Sequence, residues 1–140
     1  MEHSKIISSF IEEIWNHRNF NRLNDFLHPE FIDYSLPNSL SPDKEGLKNW
    51  IVATGESFEH MTFIEDHITE GKKCGLRIKM NLKHIGMWRD MEATGVEVSV
   101  EGFRFFEIRE DKIVSHWALI DGQKIENNLK KMSSSCKIGS

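Results

Sequence analysis

Residues 75–85 read GLRIKMNLKHI. Leu76, Ile78, Met80 and Leu82 fall on one side of an extended chain, and Arg77, Lys79, Asn81 and Lys83 on the other. Side chains alternate with a period of two along a strand, so this stretch predicts a strand with one face in a core and one in water. Its neighbours follow the same period. Residues 60–70 alternate loosely and reach it through a turn at Gly71-Lys72-Lys73. Beyond a loop over 86–95, with a glycine at each end, residues 96–109 predict a long strand. Glu110-Asp111 makes a turn, and 112–121 the last strand.

The first half of the chain has the helical period instead. Ile6, Ile7, Phe10, Ile11, Ile14 and Trp15 form one stripe over residues 4–17. A short second helix carries Leu23, Phe26 and Leu27 and stops near Pro29, and residues 31–36 read as a brief strand. Ser41-Pro42 starts a third helix, with Leu47, Trp50, Ile51 and Phe58 along one face. Residues 123–132 predict a closing helix and 133–140 a flexible tail, leaving one domain over 1–132. Helices first, then strands joined by short turns, is the α+β pattern: a curved, mostly antiparallel sheet wrapped on the N-terminal helices. A bent sheet of this kind makes a cone with an open mouth, where small molecules bind.

Composition narrows the function. The 140 residues suit one domain. With 18 basic and 22 acidic side chains the net charge is −4, and no basic stripe marks a nucleic-acid surface. No apolar run is long enough to span a membrane, and the N-terminus lacks the features of a signal peptide. Cys74 and Cys136 fit no metal spacing, and two free thiols in a cytoplasmic protein are expected. No glycine-rich phosphate loop, serine-hydrolase elbow or zinc motif is present, so no cofactor and no metal are expected.

The puzzle is DKIVSHWALID, 111–121, an apolar strand that ends on a carboxylate. Burying a carboxylate costs several kcal/mol unless it is paired, and desolvation raises its pKa toward the range useful for proton transfer. Counted by parity, Asp121 shares a face with Ile113, Trp117 and Leu119. Two readings stand: an acid/base group in an apolar cup, or a cap on the closing helix, since Asp-Gly is a common strand-to-helix corner. His84 continues the apolar row of 76–82 and is either a satisfied core imidazole or a proton carrier. His116 reads as a packing or interface residue. Trp88, a large aromatic in a glycine-flanked loop, reads as a lid or an interface residue. Tyr34, the sole tyrosine, reads as a strand aromatic or as a donor into the mouth. Trp50 and either Phe103 and Phe105 or their opposite-face neighbours are candidates to line the cup. An open sheet face needs covering, so a homodimer is expected.

Three stretches together resemble the SnoaL-like polyketide cyclases of the nuclear-transport-factor-2-like superfamily: SFEHMTFIEDHITEGKK (57–73), KHIGMWRDMEATG (83–95) and FRFFEIREDKIVSHWALID (103–121). The resemblance implies a cone-shaped α+β barrel and cofactor-free acid/base chemistry, aldol cyclisation or isomerisation, on a small apolar carbonyl compound; the alternative is a non-catalytic module of the same fold that binds a small molecule or serves dimerisation. It implies a proton-transfer role for Asp121, with His84 matching the family's strand-end histidine and Trp117 and Trp88 matching pocket or lid aromatics. Lys83 and Asp111 depart from the family pattern, and the penultimate strand lacks the histidine that assists the aspartate in the antibiotic cyclases.

Overall fold

A computed structural model describes residues 2–138, with side chains through Met132. Helix α1, His3–Phe10, widens into a π-helical turn over Ile11–Asn16. Its apolar stripe is entirely buried, from Ile6 to Trp15. A short α2, Leu23–Phe26, leads straight into strand β1, Leu27–Asp33. Helix α3 spans Lys44–Ser57. The strands β2 (Phe58–Glu70), β3 (Lys73–His84), β4 (Glu97–Arg109) and β5 (Lys112–Ile120) follow as an antiparallel meander. Helix α4, Gly122–Ile138, closes the fold.

The five-stranded sheet has the order β1-β5-β4-β3-β2, and only β1 lies parallel to its neighbour. Helix α3 packs against both edge strands, β1 and β2. A helix can touch opposite edges of one sheet only if the sheet curls round it, so the expected α+β cone is present. Between β3 and β4, Met80 faces Val100 and Ile78 faces Gly102. Gly102 points inward where a side chain would collide: a Cβ there would lie 2.3 Å from Ile120 Cδ1. The core is the stripe of α1, Leu47 and Ile51 of α3, and the even-numbered residues of β3 and β4. Ile125 and Leu129 of α4 complete it.

Three boundaries differ from the sequence reading. Strand β1 begins at Leu27, four residues before the expected start. Pro29 lies inside it, which an edge strand tolerates because one side of its backbone donates to no neighbour. Helix α3 is capped by Asp43, not Ser41: the Asp43 carboxylate accepts from Gly46 N–H at 3.1 Å, while the Ser41 hydroxyl braces that carboxylate at 2.7 Å. Helix α4 runs on to Ile138, into the segment expected as a tail, and residues 139 and 140 lie outside the described residues.

A bulge in β5 decides which side chains enter the cone. Glu107 pairs with Ser115 but Ile108 pairs with Ile113, so Val114 is an extra residue. Ile113 and Val114 are both buried, and alternation restarts out of phase. Past the bulge His116, Ala118 and Ile120 face inward. Trp117, Leu119 and Asp121 face outward, with Leu119 76 % exposed.

Candidate functional site

The interior of the cone holds two adjoining cavities, of about 320 and 220 Å³, that share Trp15, Trp50, Arg104 and Ile120 as walls. Trp15 comes from the π-helical turn that follows α1, Trp50 from α3, and Arg104 from the inward face of β4. The larger cavity adds Phe58, Met80, Leu82 and Trp88. The smaller adds Asp33, Ser35 and His116. Trp88 reaches the larger cavity from a tight turn in which Trp88 and Met91 exchange backbone hydrogen bonds, with Arg89 and Asp90 at positive φ. The Arg89 guanidinium lies 4.7 Å above the Trp88 ring and 3.7 Å from Glu126 of α4.

Three buried polar side chains meet at the cavity floor. Asp33 ends β1, His116 lies beside it on β5, and Arg104 lies beside His116 on β4. His116 Nδ1 is 2.7 Å from Asp33 Oδ2, and Arg104 Nη1 is 3.4 Å from His116 Nε2. Asp33 Oδ1 accepts from the Ser35 N–H at 2.9 Å and the Ser35 hydroxyl at 2.6 Å. An ionised carboxylate only accepts, so the proton of a neutral His116 sits on Nδ1, and Nε2 carries the lone pair toward Arg104. Burial pushes the Asp33 carboxyl upward, but the hydrogen bonds from His116 and Ser35 outweigh it, and its pKa falls below the ordinary value. Burial lowers the His116 pKa, joined by the Arg104 charge and opposed by Asp33. Burial also lowers Arg104 to about 10, against the charge of Asp33. At neutral pH the three are carboxylate, neutral imidazole and guanidinium. A neutral imidazole oriented by a carboxylate, beside a fixed cation, can take up a proton while the cation steadies developing negative charge.

The polar shell around this floor is unevenly satisfied. Arg104 Nε and Trp15 Nε1 are buried without a hydrogen-bond partner among the described residues. Arg104 Cζ lies 4.2 Å from the Trp15 ring centroid. His60, edge-on to Trp15 at 6.1 Å, is buried with neither nitrogen partnered. Burial, then the charges of Arg18 and Arg104, drive its pKa down to about 4.

The residues singled out from the sequence divide three ways. Trp50 and Trp88 line the larger cavity. His84 is completely buried behind Phe58, with ring centroids 5.4 Å apart. Its Nδ1 accepts from Thr94 N–H at 3.3 Å and lies 3.0 Å from the Thr94 hydroxyl, which anchors the 86–95 loop; the ring does not reach the cavity wall. Trp117, Phe105 and Tyr34 lie outside the cone. Phe105 and Trp117 are cross-strand partners on the outward side of the pleat, and Tyr34 stacks on Trp117 at 4.9 Å. Asp121 is exposed, and its carboxylate accepts from Lys124 N–H at 3.0 Å, so it caps α4. Sequence reasoning missed Asp33, His116 and Trp15 as cavity residues, and reached Arg104 only as an opposite-face neighbour of Phe103 and Phe105. Correct parity beyond the bulge would have brought in His116, and the alternation of β4 Arg104.

A family model described as SnoaL-like polyketide cyclase matches residues 5–129. The chain belongs to the SnoaL-like polyketide cyclase family. No curated protein matches it. Solved structures share the fold of this family member. IdmH of Streptomyces antibioticus superposes with a TM-score of 0.83 at 18% identity, covering 93% of this chain and 99% of that one. TsrD of Streptomyces laurentii gives 0.79 at 20% identity, over 90% and 92% of the two chains. A SnoaL-like polyketide cyclase of Agrobacterium tumefaciens gives 0.77 at 18% identity, over 92% and 98%. Among the described residues no helix is long and apolar enough to cross a membrane, and no group of acidic, histidine and cysteine side chains is arranged to hold a metal ion.

Proposed function

We propose that this protein carries out cofactor-independent acid/base chemistry beside the carbonyl of a small, largely apolar molecule held in the cone, leading to isomerisation or to aldol ring closure. The observation that carries the reading is the buried Asp33–His116–Arg104 chain at the floor of an aromatic cavity. When the substrate displaces the long 3.4 Å Arg104 contact, His116 Nε2 removes a proton from the carbon next to the carbonyl. The electron pair of that C–H bond moves into the carbonyl, and Arg104 meets the oxygen as it becomes negative. The enolate then takes the proton back from His116 at another carbon, which isomerises the molecule. Alternatively its carbon attacks a second carbonyl, and His116 protonates the new alkoxide. Asp33 holds the His116 tautomer and steadies the imidazolium. In this reading His116 takes the acid/base role that the family resemblance implied for Asp121, whose carboxylate is occupied in capping α4.

The outer sheet face supports a second copy of the chain as partner. Phe103, Phe105, Trp117 and Leu119 are all exposed there, beside Ile68 at 74 % exposure. These side chains line one shallow concavity, and an apolar patch of this kind marks an interaction surface.

The test of the chemistry is exchange of the protons next to the carbonyl in D₂O, followed by NMR, on cyclic ketones and β-dicarbonyls. Exchange that the wild type accelerates and His116→Asn loses, while Asp121→Asn keeps it, supports the reading. Equal exchange by wild type and His116→Asn would remove His116 as the base.

A further inference from the structure

The larger cavity has an unusual charge balance. Its charged lining residues are Arg89 and Arg104, and no acidic side chain lines it among the described residues. This is notable in a chain of net charge −4. Its unsatisfied polar atoms are also of one kind. Arg104 Nε and Trp15 Nε1 are buried and unpartnered, and both groups can only donate. Arg104 is 4 % exposed, so its guanidinium is fixed in the wall and does not swing in bulk water. No carboxylate forms an ion pair with it among the described residues, and Asp33 is engaged by His116 and by both Ser35 donors. Leaving a buried guanidinium without a counter-charge is costly, and the group that meets two N–H donors of one guanidinium at once is a carboxylate.

The remaining walls specify what the carboxylate is attached to. Trp15, Trp50, Phe58 and Trp88 present flat aromatic surfaces around a space of about 320 Å³, near the lower end of small-ligand sites. Arg89, half in solvent, is paired with Glu126 at 3.7 Å, which leaves Arg104 as the cation of the wall without a carboxylate partner.

We infer that the ligand of the cone is an aromatic or alicyclic carboxylic acid, its carboxylate seated on the Arg104 guanidinium and its ring between the tryptophans. As a statement about substrate class, this rests on the acid/base reading above. The substrate is then a carbonyl acid, bound by its carboxylate at Arg104 and presenting the carbon next to its carbonyl to His116.

Calorimetric titration of the 140-residue protein with isosteric pairs tests it: 2-naphthoate against 2-naphthamide, and cinnamate against cinnamamide. Charge-assisted bonds to a buried guanidinium should make each acid bind about tenfold or more tightly than its amide. In Arg104→Met, which keeps the bulk of the side chain, the preference should shrink to about twofold or less, with near-ultraviolet circular dichroism confirming the fold. The wild-type comparison needs no variant and stands if Arg104→Met fails to fold. Amides binding as well as acids, or neither binding at millimolar concentration, would overturn the inference, as would a preference that survives in folded Arg104→Met. Proton exchange measured alongside, with phenylpyruvate and with neutral ketones, separates the two proposals. Exchange on neutral ketones without any acid preference removes the inference and leaves the chemistry. Acid preference without exchange on any carbonyl leaves the inference and removes the chemistry.

Discussion

His60 gives the fold a pH dependence whose size can be worked out. The residue is 8 % exposed on the inner side of β2, both ring nitrogens lack partners, and its pKa is driven down from 6.5 to about 4. The unfolded chain therefore binds a proton near pH 6.5 that the folded chain refuses until near pH 4. The stability from a neutral His60 is complete above pH 6.5 and is lost as the pH falls from there toward 4. At pH 5 the unfolded imidazole is nearly all protonated and the folded one about a tenth protonated, which corresponds to a loss of about 2 kcal/mol between pH 7 and pH 5. In a domain of this size that lowers Tm by roughly 6 °C. His116, also lowered by burial, adds a loss of the same sign, so the His60 part is isolated by comparison with His60→Gln. The carboxyl of Asp33 contributes in the same sense, but at lower pH, because its pKa lies below 3.8. Urea unfolding followed by tryptophan fluorescence at pH 7, 6 and 5, at constant ionic strength, gives the two slopes. The wild type should lose about 2 kcal/mol more than His60→Gln over that window. Parallel lines would refute the claim that His60 is neutral and unpartnered in the fold.

Three further outcomes follow from the structure. Asp121→Ala should cost about 1 kcal/mol through loss of the α4 cap, with proton exchange unchanged; urea midpoints and NMR exchange check the two halves. Leu129→Ala, at a side chain with no exposure under α4, should cost about 3 kcal/mol in the same denaturation assay. Leu119→Glu combined with Phe105→Ser should turn a dimer into a monomer on size-exclusion chromatography without lowering Tm by more than a few degrees, because both side chains lie on the outer face.

Much of the architecture was legible because it rests on periodicity. The even-numbered residues of β3 from Cys74 to Leu82 are apolar and buried, and those of β4 continue the pattern, with Gly102 and Arg104 as the exceptions. The stripe of α1 needed only helical spacing. Strand β1 was misjudged because its evidence is local and weak. Pro29 stops a helix, so it reads as a boundary, yet it is also allowed in an edge strand. Which use applies depends on pairing with β5, and those partners are more than eighty residues away. The tight turn that presents Trp88 to the cavity is likewise invisible to composition, although the glycine-flanked loop containing it was not.

The candidate site was harder, and the reason is one residue. Counting by twos from Ile113 places Trp117 and Asp121 on the buried face and His116 on the other. The count fails at Val114, where the bulge inserts an extra residue and reverses the phase of everything after it. The same slip made Trp117 a pocket residue and His116 a packing residue. Tyr34 was likewise preferred to its neighbour Asp33, though Asp33 is the one turned inward, at 2 % exposure against 59 %. A bulge leaves no composition mark in KIVSHW, since Ile and Val are both at home in a buried strand. What could have signalled it is energetic. The uninterrupted phase sends Ile113, Trp117, Leu119 and Asp121 inward, burying an unpaired carboxylate. The shifted phase sends His116 in, beside an arginine and an aspartate that already needed partners. Of two registers for one strand, the one that satisfies more buried polar groups is the one to prefer. Here it brings Asp33, His116 and Arg104 to one point and releases Asp121 to cap a helix.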